Sequence, residues 1–193
     1  TDANSDGVGA ANSSGVTSTI TITPESSKPI IIAGDTLTYI ENGSANVIDN
    51  TITISDIDDI ELSGASVTIS SGFTTGDVLE LTAQNGISGS FDSLTGMLTI
   101  SGTTTLDNYQ TALGSVTYYS TNEDPTLTNS NRSITWIVTD ANSDGAGAAN
   151  SSGVTSTITI TALSDVPVVT AGGSLAYTEN SLAAIIDNTI AIS

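Results

Sequence analysis

Cysteine and histidine are both absent from the 193 residues. Their absence removes disulfides, thiolate and imidazole metal ligands, cysteine nucleophiles and imidazole bases in one step. Positive charge is almost as scarce: Lys28 and Arg132 stand against 21 acidic residues, for a formal charge of −19 at pH 7. Such a surface repels phosphate backbones and anionic lipid, which excludes nucleic acid and membrane surfaces as natural partners. Divalent cations are its natural counterions, the blander alternative being solvated negative charge. With one Trp, five Tyr and two Phe, a core must come from Ile, Val, Leu and Ala. The composition reads as a lean β core rather than disorder. No apolar run approaches the about 20 residues of a membrane-crossing helix, and no signal-peptide pattern is present. We expect any targeting signal to lie outside this sequence.

What the chain does contain is a repeat. TDANSDG stands at residues 1–7 and again at 139–145, and residues 1–55 align without a gap on 139–193, a period of 138 residues. Over residues 1–23 the copies differ only at Val8 versus Ala146, whereas over 24–55 half of the 32 positions match. Solenoid units run about 20–50 residues, so this period is that of a domain in a tandem array. The expected division is a closing strand segment at 1–23, a linker at 24–29, a complete repeat at 30–161, a linker at 162–167 and the opening strands of a following repeat at 168–193.

Strict alternation over residues 15–23 puts Val16, Ser18, Ile20 and Ile22 on one face and threonines on the other, the pattern of a half-buried strand. With no local partners within residues 1–23, it must pair outside the compact repeat or fray. Two prolines bracket the linker at 24–29. Beyond it, two or three strands follow from Ile30 onward, with others expected at 65–70, 78–83, 97–101, 116–120, 133–139 and 154–161. Asn85-Gly86, Thr95-Gly96 and Asp124-Pro125 are among the turns between them. Trp136 is expected at the centre of the core. Residues 104–114 break the pattern, with Leu106, Tyr109, Ala112 and Leu113 at helical spacing, Thr104 or Thr105 as cap and Gly114 as stop. Together these predict an all-β, Greek-key sandwich of two antiparallel sheets with one short helical segment over an open end.

Two acidic segments carry the only evident chemistry. Asp140, Asn142 and Asp144 before Gly145 spell D-x-N-x-D-G, the opening of a calcium loop in which alternate oxygens turn inward on a hard cation. The twelfth position is Ser151 rather than Glu and no helices flank the loop, so it is not an EF-hand; an Asx-rich turn remains the competing reading. The second segment places Asp56, Asp58, Asp59 and Glu61 within six residues. In an extended strand, Asp56 and Asp58 share one side, about 7 Å apart. Two charges at that distance in water repel by only about 0.6 kcal/mol, so repulsion alone does not demand a metal.

The order of Gly76-Asp77-Val78-Leu79, Asn85-Gly86-Ile87-Ser88-Gly89-Ser90-Phe91-Asp92, Thr95-Gly96-Met97-Leu98-Thr99-Ile100 and Tyr109-Gln110-Thr111-Ala112-Leu113 ahead of Val116-Thr117-Tyr118 resembles the cadherin-like repeats of giant bacterial surface adhesins. It is also similar to the chondroitin-sulfate-proteoglycan type of repeat. The resemblance implies an extracellular β-sandwich array, with calcium near domain junctions, serving as a stalk for adhesion or biofilm matrix. It further implies calcium ligation by Glu41, near the end of the first strand and echoed at Glu179, with Asp56, Asp58 and Asp59. The second linker, with Asp165 and no Lys, suits a bridging cation better than the first, which carries Lys28.

The expected function is therefore a structural module of a calcium-stabilised extracellular fibre or stalk. Its partners would be neighbouring repeats or copies of the same protein, joined covalently or by strand complementation. The alternative is a glycan- or protein-binding adhesion module, for which Tyr109, Tyr118 and Tyr119 are the clustered aromatics. A glycosidase would need paired carboxylates across a cleft; no groove is signalled, and we expect no enzyme.

Overall fold

The computed structural model describes residues 1 and 3–192; Asp2, the counterpart of Asp140 in the first acidic loop, and Ser193 lie outside the described residues. Alternating stretches become strands where a neighbour covers their apolar face. In chain order they are β1 (Ile30–Ile32), β2 (Thr36–Ile40), β3 (Asn46–Val47), β4 (Thr53–Ser55), β5 (Glu61–Ser71), β6 (Asp77–Glu80), β7 (Ser88–Asp92) and β8 (Met97–Thr105). The helix α1 (Leu106–Leu113) follows, then β9 (Thr117–Ser120), β10 (Asn131–Asp140), β11 (Val154–Thr161), β12 (Val169–Thr170) and β13 (Ala191–Ile192). A six-stranded sheet of order β2-β11-β10-β5-β8-β7 faces a three-stranded sheet β3-β9-β6. The result is an all-β sandwich.

The core lies between those sheets. Trp136, Ile134 and Val138 from β10 meet Leu62, Val67 and Ile69 from β5, and Tyr118 from β9 packs edge-on against Tyr39, ring centroids 5.1 Å apart. The buried hydrophobic core residues among those described all lie between Ile31 and Ile160. The helix forms where expected: Thr105 caps it by accepting the Asn108 N–H, and Tyr109, Ala112 and Leu113 are its buried face. It packs on β4, β5 and β8. The strand β7 has no counterpart among the expected strands, because its sequence SGSFD buries no residue fully and shows no apolar alternation.

One pairing corrects the expectation of two antiparallel sheets: β11 runs parallel to β2, Thr157 opposite Thr36 and Thr161 opposite Ile40. The other pairings in the six-stranded sheet are antiparallel. Because its opening and closing strands run the same way, the chain comes in at one end of the sandwich and leaves at the other. The proximal end carries residues 56–60, the end of β10 and the start of α1, since Asp140 lies opposite Leu62 and the Leu106 N–H donates to the Ile60 carbonyl. The distal end carries residues 41–43 and the end of β11.

The repeated sequences behave differently according to their partners. Ile158 and Ile160 are 0 % and 3 % exposed in β11, flanked by β2 and β10, whereas Ile20 and Ile22, in the identical run, are each 85 % exposed and unpaired. Packing therefore decides the strand, not propensity alone. Residues 168–192 reproduce the local hydrogen bonds of their counterparts. Asp187 accepts from Gly172, Gly173 and Thr189 as Asp49 accepts from Gly34, Asp35 and Thr51, and β12 pairs β13 as β1 pairs β4.

Asp49 is 1 % exposed and ties the opening segment to the core: it also accepts the Ser156 hydroxyl at 2.8 Å, and Ser156 accepts the Trp136 indole N–H at 3.0 Å. Burial pushes its carboxyl up, but the Asp35, Gly34 and Thr51 N–H groups and the Thr51 hydroxyl together hold it well below the usual range. The stability it contributes is complete above the unfolded value, about pH 4, and is lost as pH falls toward the lower folded value. In urea unfolding between about pH 5 and pH 2, stability is expected to fall, and Asp49→Asn to flatten part of that fall. An unchanged slope would remove Asp49 from the acid response.

Candidate metal centre

The acidic segments, 84 residues apart at Asp56 and Asp140 in sequence, meet at the proximal end. The pairing of β10 with β5 sets Asp140 beside Leu62, and the loop preceding β5 folds back over it. That loop is not extended, the geometry in which Asp56 and Asp58 would share one side. Asp56 Oδ1 accepts the N–H groups of Asp58 and Asp59 at 3.2 and 3.4 Å, an Asx turn that brings Asp56 and Asp59 to the same side. One carboxylate oxygen each from Asp56, Asp59 and Asp140 lies within 4.8 Å of the others.

Each acid is held from behind. Asp140 accepts Asn142 N–H at 3.0 Å on one oxygen and Ala149 N–H at 2.8 Å on the other. Asp59 Oδ1 accepts the Ser143 N–H at 2.8 Å and the Ser143 hydroxyl. Asp58 Oδ2 accepts the Ser27 N–H of the linker at 2.7 Å. Asp59 and Asp140 are 2 % and 0 % exposed. Burial, then the neighbouring Asp58 side chain, raises the Asp56 carboxyl above its ordinary value, while the Asp56 side chain and the Ser27 N–H hold Asp58 below it.

Four buried oxygens have no hydrogen-bond partner among the described residues: Asp56 Oδ2, Asp58 Oδ1, Asp59 Oδ2 and Asp144 Oδ2. Buried polar atoms are nearly always paired, and an unpaired buried charge costs several kcal/mol. Two oxygens on one calcium ion lie no more than about 5 Å apart, given bond lengths of about 2.3–2.6 Å, so the cluster has the dimensions of a single hard cation. With only oxygen donors, the set suits calcium or magnesium rather than zinc.

The other sequence candidates are placed differently. Asn142 adopts positive φ and its Oδ1 accepts the Gly147 N–H, while Asp144 Oδ1 accepts the Ala146 N–H, so Asn142 is engaged in the turn and Asp144 keeps one free oxygen. Counterpart bonds recur in the first loop, where Asn4 and Asp6 accept from Gly9 and Val8, so this turn forms without the sandwich around it. Glu41 is not in the cluster. It lies at the distal end, 4 % exposed, where its Oε2 accepts the Leu163 N–H at 2.6 Å. The sequence located both acidic segments but not their meeting, which depends on strand register.

A second charged centre escaped sequence reasoning altogether. Arg132 is fully buried, its Nε 2.6 Å from Asp77 Oδ2, and its terminal nitrogens donate to Pro125, Asn129 and Asn131 carbonyls and the Thr74 hydroxyl. Tyr118 donates its hydroxyl to the same aspartate at 2.7 Å. The available signal was scarcity: an arginine in a chain nearly devoid of cations.

No family model matches the chain. It is 32 % identical over 108 residues, 53 % of its length, to halomucin of Haloquadratum walsbyi. The aligned stretch is 1 % of halomucin, so the chain spans only a small part of that relative. Among the described residues no helix is long and apolar enough to cross a membrane.

Proposed function

We propose that this chain is a structural module of an extracellular tandem-repeat fibre or stalk, with residues 30–161 as one complete repeat locked by a calcium ion. The observation that carries the reading is the set of unpartnered buried carboxylate oxygens around Asp56, Asp59 and Asp140. In this reading those three residues are the principal ligands, and Asp58 and Asp144 contribute their free oxygens. The cation joins the loop before β5 to the loop after β10, which are separate segments of an unfolded chain. Binding therefore favours the folded state. The array is supported by the 138-residue period and by the reproduction of the local bonds of residues 30–54 in residues 168–192. Similarity to a protein named as a mucin supports the extracellular setting. In this role the chain is not an enzyme.

Calorimetric titration of the chain with calcium tests the proposal. The unmodified chain is expected to bind saturably, and a chain with Asp59→Ala and Asp140→Ala to show no binding. Equal heats from both would place any bound calcium elsewhere.

A further inference from the structure

Each linker displays half of one joint. At the proximal end Asp58 accepts the backbone N–H of Ser27, and at the distal end Glu41 accepts the backbone N–H of Leu163. The period of 138 residues makes Leu163 the counterpart of Glu25, and Asp165 the counterpart of Ser27. Superposed, the two halves give one joint with a carboxylate on the residue at position 25, a carboxylate on that at 27, and a single residue between them.

We propose that successive repeats are held end to end by this pair of carboxylates, Glu41 of one repeat and Asp58 of the next, closing on two linker N–H groups with one residue between them. The partner of the proximal surface is thus the distal end of the preceding repeat in the same chain. Both acceptors take backbone N–H groups, so the clamp tolerates side-chain drift. The linkers PESSKP and ALSDVP match only at Ser26 with Ser164 and Pro29 with Pro167, yet Glu41 recurs as Glu179. Two extended residues span at most about 7 Å, which leaves the sandwiches no room to swing apart. A sandwich end seated there covers Ile57 and Ile60, which flank Asp58 and Asp59 and are 89 % and 77 % exposed. Charge-assisted bonds to backbone N–H groups are about twice as strong as neutral ones. The inference rests on the tandem-array reading but not on the cation.

The test keeps the whole chain and adds one repeat: residues 1–161 followed by 24–193, a fusion that restores the Thr-Pro step found at Thr23 and Pro24. With no native cysteine, Ser93→Cys in both complete repeats accepts spin labels, and pulsed electron resonance in chelator reads the distance distribution between them. A narrow distribution is expected. Glu41→Ala in the first repeat with Asp58→Ala in the second is expected to broaden it at least twofold. A glycine inserted after Ser26, with both carboxylates intact, is expected to do the same. Melting and Trp136 emission check that each variant is folded. A broad distribution in the unmodified fusion, or a narrow one in both variants, would overturn the clamp. A distribution narrow only with calcium would also overturn it, by assigning the joint to the cation. The calorimetric titration decides the calcium reading separately.

Discussion

Replacing Arg132 with Met is expected to lower stability by about 3–5 kcal/mol, the range for breaking a buried ion pair by removing one partner. The change leaves the Asp77 carboxylate buried, 2 % exposed, without its counter-charge, and strips donors from the carbonyls of Pro125 and Asn129. Those carbonyls fix the connection between β9 and β10, so the loss spreads from a charge pair to a loop. Adding Asp77→Asn to Arg132→Met is expected to recover part of the deficit, because a neutral amide can still accept from Tyr118. Urea unfolding followed through Trp136, the chain's one tryptophan and fully buried, reads both variants. A cost below about 1 kcal/mol, the size of an exposed pair, would show that water reaches this centre.

The second large effect changes sign with conditions. In chelator, Asp59→Asn is expected to melt higher than the unmodified chain, because it replaces one of three crowded carboxylates with an amide. Its oxygen can still accept from Ser143, and its nitrogen can donate to a neighbouring acid. In calcium the order reverses. A ligand at a hundred times its dissociation constant adds about 2.7 kcal/mol, several degrees in a domain of this size, and the variant forfeits most of that gain. Melting curves of both proteins in both conditions give the crossing directly. A variant less stable in chelator as well would make Asp59 a purely structural acceptor for the turn at Ser143.

What the sequence made legible follows from the range over which each feature is determined. Local patterns were readable: the helix over Leu106–Leu113 with its Thr105 cap rests on neighbours within a few residues, and alternation marked the strand at Val154–Thr161 and the core position of Trp136, although the identical run at residues 16–23 stays unpaired for want of a partner. The sandwich class was readable because alternation and turn residues recur along the whole chain. Register was not. Asp56, Asp59 and Asp140 were seen as two loops, and only the pairing of Asp140 with Leu62 makes them one cluster. Glu41 was grouped with Asp56, Asp58 and Asp59 only by what the resemblance to cadherin-like repeats implied. The parallel pairing of β2 with β11 carries it to the opposite end, onto the Leu163 N–H. Asn142 was a candidate ligand in a motif that serves turns equally well, and its bond to Gly147 follows the turn reading. Arg132 gave no pattern to read, because a buried cation is identified by what surrounds it.

A cation site and a crowded acidic turn at the three converging aspartates differ in how the fold responds to calcium. The melting temperature of the unmodified 193-residue chain in calcium and in chelator, at one ionic strength so that general screening is matched, separates them. A calcium-specific rise of several degrees is expected for a cation site. Identical melts would contradict it and leave a sandwich that carries its buried carboxylates without a metal.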